Sequence, residues 1–252
     1  MPFPLAIIAY TTVFLFGIVI GSFLNVCIYR IPKHETIVTT PSHCMKCGYH
    51  LAWYDLIPVF SWLFLKGRCR KCGDKISAQY PIVEAANGVL WVITFARCGF
   101  SADTCLLALA ISALLVLSVI DARTYEIPFG INVFIFVMGA LRLLLAPEHW
   151  LSHLTGFVAV ALVLTVLYLV TGGRGIGGGD IKLMAASGLL LGFGGNLMAF
   201  FFGCLYASVI HIARMKISGA GRMLALGPYL SAGILTAIWF GEPILGWYLG
   251  LF

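Results

Sequence analysis

The chain has 252 residues, of which 61% are hydrophobic and only 10% are charged. A soluble domain is about half apolar and about a quarter charged, so the composition excludes an ordinary water-soluble enzyme and indicates a protein embedded in a bilayer. The net charge of +6 is accounted for by basic loops on one side of such a protein, and it requires no nucleic-acid partner.

Apolar segments near the length that a helix needs to cross a bilayer recur along the chain. We predict an all-α polytopic membrane protein with about eight transmembrane helices, of which the sixth is short and rich in glycine. In chain order the predicted spans are Leu5–Ile28, Ile82–Arg97, Thr104–Ile120, Phe129–Ala146, Ser152–Val170, Ile181–Phe193, Asn196–Ala213 and Gly227–Leu249. The first span is not a cleavable signal peptide, because no basic residue precedes Arg30 and its apolar run is too long.

The basic residues predict the orientation of these spans. Fourteen of the sixteen Lys and Arg residues fall on one side of the membrane if the spans alternate in direction. Eight of them lie in residues 29–81, and the other six are Arg123, Arg174, Lys182, Arg214, Lys216 and Arg222. Because cytoplasmic loops are enriched in Lys and Arg, we expect the 29–81 loop to be cytoplasmic and both termini to face outward.

The loop between the first two spans is the only polar insertion large enough to fold, and it contains two C-x-x-C motifs. Cys44 and Cys47 form the first motif, and Cys69 and Cys72 form the second, with 21 residues between the pairs. This spacing is typical of a four-cysteine zinc site, in which thiolates fill all four tetrahedral positions and none is open to water. The pattern therefore predicts a structural zinc ion that holds the loop in shape.

Three other uses of these cysteines fit the sequence less well. Disulfides are disfavoured in the reducing cytosol, and haem attachment needs a His where this chain has Gly48 and Gly73. A thioredoxin-like pair would belong to a βαβ unit, not to a short loop with two motifs. The remaining cysteines are expected to pack in or beside the spans: Cys27, Cys98, Cys105 and Cys204.

Two aspartates lie at the cytoplasmic ends of predicted spans that are far apart in sequence. Asp121 directly follows the third span and Asp180 opens the sixth, so the topology brings both to the same depth. Carboxylates near a membrane boundary are costly and tend to be functional. Two neighbouring carboxyls in a low dielectric share a proton, so one can activate water while the other acts as an acid. The pair therefore predicts a hydrolytic dyad.

The sequence also leaves structural explanations of Asp180 and Asp121 open. Asp180 could be a helix N-cap, and Asp121 could pair with Arg123 in an exposed turn. Three glycines stand directly before Asp180: Gly177, Gly178 and Gly179. Without Cβ atoms they can adopt positive φ and let a substrate approach.

The other acidic residues near the inner membrane ends are Glu126 and Glu84. Glu126 is more readily explained as a solvated turn residue, whereas Glu84, inside the second span, requires a polar partner. The sequence contains no H-E-x-x-H and no G-x-S-x-G motif.

Six stretches of the chain, taken in order, resemble the bacterial type IV prepilin peptidases, a family of GxGD aspartic proteases. They are GSFLNVCIYRIP at 21–32, the paired C-x-x-C around WYDLIPVFSWLFLKGRCRKC, YPIVEAANG at 80–88, DARTYEIP from Asp121, GGGDIKLMAA from Gly177 and LGPYL at 226–230. The resemblance covers nearly the whole length. Small departures are Leu56 in WYDLIP and Phe129 after EIP, where the family often has Asn and Asp.

The resemblance implies an inner-membrane endopeptidase with catalytic Asp121 and Asp180. Such an enzyme cuts the short basic leader of a prepilin or pseudopilin after a glycine, at the cytoplasmic face. It also implies S-adenosylmethionine-dependent N-methylation of the new N-terminal residue, a step to which Glu84 and Gly88 are linked by position. The expected domains are residues 1–98, with the zinc loop and the methylation step, and residues 99–252, a six-helix peptidase domain.

Two other classes of protein remain open. In a cation-coupled transporter, Asp121 and Asp180 would bind H⁺ or Na⁺ at the membrane edge, and the cysteine loop would act as a gate. A scaffold of the pilus machinery would carry out no chemistry. Incubation with a prepilin separates the three classes, because only a peptidase shortens it.

Overall fold

The computed structural model of the protein describes residues 3–218 and 224–250, and this part of the chain is largely helical. Its α-helices are α1 (Phe3–Arg30), α2 (Phe60–Phe64), α3 (Gln79–Cys98), α4 (Ala102–Thr124), α5 (Phe129–Leu145), α6 (Trp150–Thr171), α7 (Gly178–Ser218) and α8 (Gly227–Leu249). The described residues contain two isolated β-bridges and no β-strand. The predicted all-α class is confirmed, and Arg222, one of the basic residues used for the orientation, lies outside the described residues.

The chain divides into two compact units, Met1–Gly99 and Phe100–Phe252. In the first unit α1 packs along α3, and the segment that joins them contains the four cysteines. Glycines let these two helices approach closely, because a Cβ added to Gly17 would lie 2.7 Å from the Cα of Gly88. In the second unit α7 packs against α5, α6 and α8, while α4 packs against α5 and α8.

Five helices of the described chain are long and apolar enough to cross a membrane, namely α1, α4, α6, α7 and α8. Helix α5 is apolar but has only 17 residues. Helix α3 has 20 residues and a buried Glu84 and Asn87, which lower its hydropathy. The structure therefore identifies five candidate spans where the hydropathy pattern predicts about eight.

Helix α7 reverses direction at Gly192, which has a non-helical φ of 75° and ψ of 178°. The side-chain amide of Asn196 donates to the carbonyl oxygen of Met184 at 3.0 Å, and its oxygen accepts from the Ser187 hydroxyl at 2.9 Å. Twelve residues of straight helix would separate Met184 from Asn196 by about 18 Å. The chain must therefore turn back, so that α7 consists of two arms, residues 178–191 and 193–218. The gap predicted between Phe193 and Asn196 lies beside this reversal.

Glycine contacts hold the first arm of α7 against α6. A Cβ added to Gly188 would overlap the carbonyl oxygen of Gly156, and one added to Gly156 would lie 2.6 Å from the carbonyl carbon of Gly192. Asn196 also donates to the carbonyl oxygen of Gly156 at 3.0 Å. Small residues and buried amides of this kind hold helices together within membranes. These contacts position the arm that begins with the segment around Asp180.

Candidate functional site

The four cysteines lie in two loops of the same form, residues 42–51 and residues 67–76, which we call the cysteine loops. Two backbone hydrogen bonds close each loop: Cys44 N–H to Tyr49 O at 2.8 Å, Gly48 N–H to Cys44 O at 2.9 Å, Cys69 N–H to Asp74 O at 2.8 Å and Gly73 N–H to Cys69 O at 2.9 Å. Gly48 and Gly73 have φ of 68° and 72°, a region that favours glycine. The glycine that follows each C-x-x-C is thus required by the turn.

The cysteine loops bring all four sulfurs together. The Sγ atoms lie within 4.8 Å of one another, and the Cys44 and Cys72 sulfurs are 3.8 Å apart. In a zinc site with bonds of about 2.3 Å, tetrahedral geometry puts the sulfurs about 3.8 Å apart. The arrangement of Cys44, Cys47, Cys69 and Cys72 therefore fits a closed tetrahedral metal centre.

The cysteine thiols differ in how readily they ionise. The backbone N–H groups of Cys47 and Lys46 donate to the Cys44 sulfur and lower the pKa of Cys44 to about 6. The backbone at Asp74 favours the thiolate of Cys72, but desolvation and hydrogen bonding among the neighbouring cysteines prevail and raise the pKa of Cys72 to about 12. Cys44 therefore ionises readily at neutral pH, while Cys72 needs the charge of a bound cation to replace its proton.

A buried carboxylate connects the two cysteine loops. Asp55 accepts hydrogen bonds from the hydroxyl of Tyr49, in the first loop, at 3.3 Å and from Nε of Arg70, in the second, at 2.7 Å. The Arg70–Asp55 ion pair buries the carboxylate while leaving the guanidinium half-exposed. No role for Asp55 follows from the sequence motifs. Its position as the single acidic residue in the apolar run WYDLIP was the available signal.

The second unit brings Asp121 and Asp180 together from α4 and α7. Both are buried, with 4% and 8% of their surfaces exposed, and they are near enough for the charge of Asp121 to act on Asp180. Oδ2 of Asp121 accepts the N–H of Gly227 at 2.9 Å, and Oδ2 of Asp180 accepts the N–H of Gly177 at 3.2 Å. Each carboxyl is therefore held by one glycine amide.

Both carboxyls lie at the N-terminus of a helix. Gly227 is the first residue of α8, so its N–H has no acceptor within the helix and is free to donate to Asp121. Asp180 is the third residue of α7 and bonds back to Gly177, just before the helix begins. The positive ends of the two helix dipoles favour negative charge on this pair. A Cβ at position 227 would lie 2.7 Å from Oδ2 of Asp121, so the contact requires glycine.

The structural explanations left open by the sequence do not describe this pair. Asp180 lies inside the first turn of α7 and is not its N-cap. Asp121 is buried in α4, which continues to Thr124, so it does not lie in an exposed turn. Glu126, in contrast, is exposed, as expected of a turn residue.

The expectation of positive φ at the glycines before Asp180 is wrong. None of Gly177, Gly178 and Gly179 has a positive φ. A Cβ at Gly177 would lie 2.9 Å from Oδ2 of Asp180, and one at Gly179 would lie 2.9 Å from the Cβ of Ile127. Two of the three glycines are therefore needed for close packing within the protein, while a Cβ at Gly178 would contact nothing.

Two polar residues that the sequence did not single out lie on α5 and α8, which pack against the helices that carry the dyad. Asn132, in α5, donates to the carbonyl oxygen of Gly179 at 3.4 Å, while its own Oδ1 is buried with no partner in the described structure. Ser231 lies one turn after Gly227 in α8, and its buried hydroxyl also has no partner among the described residues. Polar residues in apolar helices are the signal that could have identified both.

Glu84 has the polar partner that its buried position requires. Its Oε2 accepts the N–H of Val59 at 2.7 Å. Val59 has φ of 63° and ψ of −53°, and Phe60 N–H donates to Pro58 O at 2.6 Å across it, which is the geometry of a strained γ-turn. Gly88 lies one turn further along α3, where an added Cβ would meet Ile18 at 2.7 Å. Glu84 therefore anchors the loop to α3, and Gly88 packs α3 against α1.

Comparisons with known proteins cover both units. Residues 15–98 match the family model "Bacterial Peptidase A24 N-terminal domain", and residues 108–212 match "Type IV leader peptidase family". The chain is 34% identical to the "Prepilin leader peptidase/N-methyltransferase" of Bacillus subtilis (strain 168) over 239 residues, which cover 94% of this chain and 96% of that protein. The protein of the same name from Aeromonas salmonicida (strain A449) is 31% identical and is matched over 94% of its length, by 95% of this chain. No solved structure matches the chain.

Proposed function

This chain belongs to the prepilin leader peptidase/N-methyltransferase family, and we propose that Asp121 and Asp180 are the catalytic pair of its peptidase reaction. The substrate is a type IV prepilin or pseudopilin, cut after a glycine between its short basic leader and its apolar segment. The enzyme then methylates the new N-terminal residue. The transporter alternative receives no support from any of the similar proteins.

The peptidase assignment rests on the buried pair of carboxyls, which come from two helices that are far apart in the sequence. Each uses Oδ2 to accept a glycine N–H. Within the described residues no hydrogen bond reaches Oδ1 of Asp121 or Asp180, so these two oxygens are available to a water molecule and a substrate. Two acids in one low-dielectric site share a single proton.

The shared proton allows acid and base catalysis by the same pair. The ionised carboxylate takes a proton from water as the water oxygen attacks the carbonyl carbon of the scissile bond. The protonated carboxyl donates a hydrogen bond to the carbonyl oxygen, which gains negative charge. The proton taken from water then passes to the leaving amine as the C–N bond breaks. The N–H groups of Gly177 and Gly227 hold the two carboxyls in place throughout.

We assign a structural zinc ion to Cys44, Cys47, Cys69 and Cys72. With four thiolates as ligands, no coordination position is open to water or substrate, so the ion stabilises the two cysteine loops and takes no part in catalysis. Bound S-adenosylmethionine supplies the methyl group for the second reaction. Glu84 supports the methylation step by anchoring the loop through Val59. Gly88 supports it through the packing of α3 on α1.

In this proposal the protein crosses the bacterial inner membrane eight times. The five candidate spans are joined by α3 and α5, and α7 counts twice because its arms run in opposite directions. The basic residues then place the cysteine loops and the dyad on the cytoplasmic side, with both termini outside. The first arm of α7 has 14 residues and is about 21 Å long, so it reaches only part of the way through a bilayer core of about 30 Å.

The test is cleavage of a purified prepilin by the detergent-solubilised enzyme, followed by mass spectrometry. We expect Asp121→Asn and Asp180→Asn each to lower the cleavage rate by at least about a thousandfold, since each removes an acid–base group from the reaction. Glu126→Gln is the matched control, because Glu126 is an exposed acid near Asp121 in the sequence, and it should cleave normally. Near-normal cleavage by either Asp variant would rule out the dyad.

A further inference from the structure

The first unit contains a cavity of about 520 Å³, large enough for a cofactor-sized molecule. Its wall includes Tyr29 and Arg30 from α1, Trp62 from α2, and Tyr80 and Glu84 from α3. The cavity lies entirely within the first unit and contains neither aspartate of the dyad. It therefore offers a binding site separate from the peptidase chemistry.

Two cations on the cavity wall are neutralised by neighbouring carboxylates. Arg70 pairs with Asp55 at 2.7 Å, and Lys46 pairs with Asp74 at 2.9 Å. One cation on the wall is buried and lacks such a partner: Arg30 is 7% exposed and has no carboxylate within 4.0 Å among the described residues.

The guanidinium of Arg30 is only partly used. Its Nη1 donates to the carbonyl oxygens of Thr36 and Thr40 at 3.0 Å and 2.9 Å, and no other hydrogen bond from this side chain is present in the described residues. A buried cation without a counter-ion is costly. The remaining N–H groups of an arginine match a carboxylate in bidentate geometry. Arg30 is thus prepared for an anionic group of a ligand.

We propose that this cavity binds S-adenosylmethionine and that Arg30 holds its α-carboxylate. The proposal rests on the methyltransferase part of the proposed function, which requires a methyl donor in the protein. The buried carboxylate of Glu84 lines the same cavity and complements the positive charges of the ligand, its ammonium and sulfonium groups. Tyr29, Trp62 and Tyr80 offer aromatic faces to the adenine ring and the sulfonium.

The same cavity explains how a closed metal centre can matter for methylation. Cys44 and Cys69 are part of the cavity wall, so the metal centre would shape the binding site without touching the methyl group. Trp62 is held by a hydrogen bond from its Nε1 to the carbonyl oxygen of Ile76 at 3.2 Å, in the second cysteine loop. Loss of the metal should therefore weaken binding of the donor.

The test is calorimetric binding of S-adenosylmethionine and of its decarboxylated analogue to the full-length protein in detergent, without prepilin. We expect the wild type to bind S-adenosylmethionine at least about tenfold more tightly than the analogue, as a charged hydrogen bond to Arg30 implies. Arg30→Gln should bind the two ligands equally, and as weakly as the wild type binds the analogue. A merely structural role of Arg30 would lower both affinities and leave their ratio unchanged.

Arg97→Gln is the matched control, because Arg97 is an exposed arginine of the same unit that does not line the cavity. It should bind like the wild type. Zinc content and prepilin cleavage should be unchanged in Arg30→Gln. Equal affinity of the wild type for both ligands overturns the assignment of Arg30 without need of a variant. An unchanged preference in Arg30→Gln overturns it as well.

Mass spectrometry of the processed prepilin separates this inference from the proposed function. Methylation by a wild-type protein whose ligand preference does not depend on Arg30 would leave the methyltransferase intact and refute the site. A wild type that neither binds the donor nor methylates would refute both.

Discussion

The cysteine loops and the aspartate pair both gather reactive side chains, but they are built in different ways. The four cysteines lie within residues 44–72, and each pair is shaped by hydrogen bonds that span only a few residues. Asp121 and Asp180 are 59 positions apart, and Asp121 is held by an amide 106 positions further along the chain. The first site depends on local turns, whereas the second depends on the packing of three helices.

This difference implies that the two sites can be damaged separately. A change in a cysteine loop should alter metal and donor binding and spare cleavage. A change at a helix contact of the second unit should do the reverse.

Among the three changes that test the independence of the two sites, removal of a metal ligand has the largest expected effect. We expect Cys72→Ser to lower zinc affinity by more than about a hundredfold, since even residues that only support a ligand contribute 10- to 100-fold. Zinc would be measured by atomic absorption after dialysis against a chelator. Cys98→Ser is the control, because Cys98 lies in the same unit but outside the cluster. Prepilin cleavage should stay within about threefold of wild type, and its loss would show that the two sites are not independent.

A somewhat smaller effect is expected at the contact between α8 and Asp121. The methyl group of Gly227→Ala would lie 2.7 Å from Oδ2 of Asp121 and must displace the carboxyl. Because a displacement of about 1 Å in a catalytic group can cost about a hundredfold, we expect cleavage to fall by about that factor.

The control for Gly227→Ala is Gly246→Ala, since a Cβ at position 246 in the same helix would meet no atom within 4 Å. Both variants should retain the zinc content of the wild type. Normal cleavage by Gly227→Ala would show that the contact between α8 and the Asp121 carboxyl does not require glycine.

The smallest effect tests the similarity of the two cysteine loops. An added Cβ at Gly48 or Gly73 would contact nothing within 4 Å, so alanine acts only through the backbone strain of the positive φ. That strain costs about 1 kcal/mol, which corresponds to a zinc affinity lowered about fivefold. We expect Gly48→Ala and Gly73→Ala to weaken zinc binding equally, as measured by competition with a chromophoric chelator. A large difference between them would show that the loops are not equivalent.

Hydropathy and short motifs predict part of the fold and part of the candidate site. The high apolar content predicted the all-α class, because a bilayer requires every backbone group to be satisfied within its own helix. The two C-x-x-C motifs predicted the cysteine cluster, because each motif forms its own turn. The sequence also singled out Asp121 and Asp180, since carboxylates near a membrane boundary are costly and tend to be functional.

Other features depend on contacts between residues that the sequence leaves far apart. The reversal at Gly192 is defined by the bonds from Asn196 to Met184 and Gly156, and the conformation of the glycines before Asp180 follows from their packing. The sequence by itself determined the helical class and the reactive side chains, because hydropathy and turn formation act over a few residues. Only the tertiary structure decided that Gly227 supports Asp121 and that Arg30 is buried without a counter-ion, because both depend on which distant segments exclude water together.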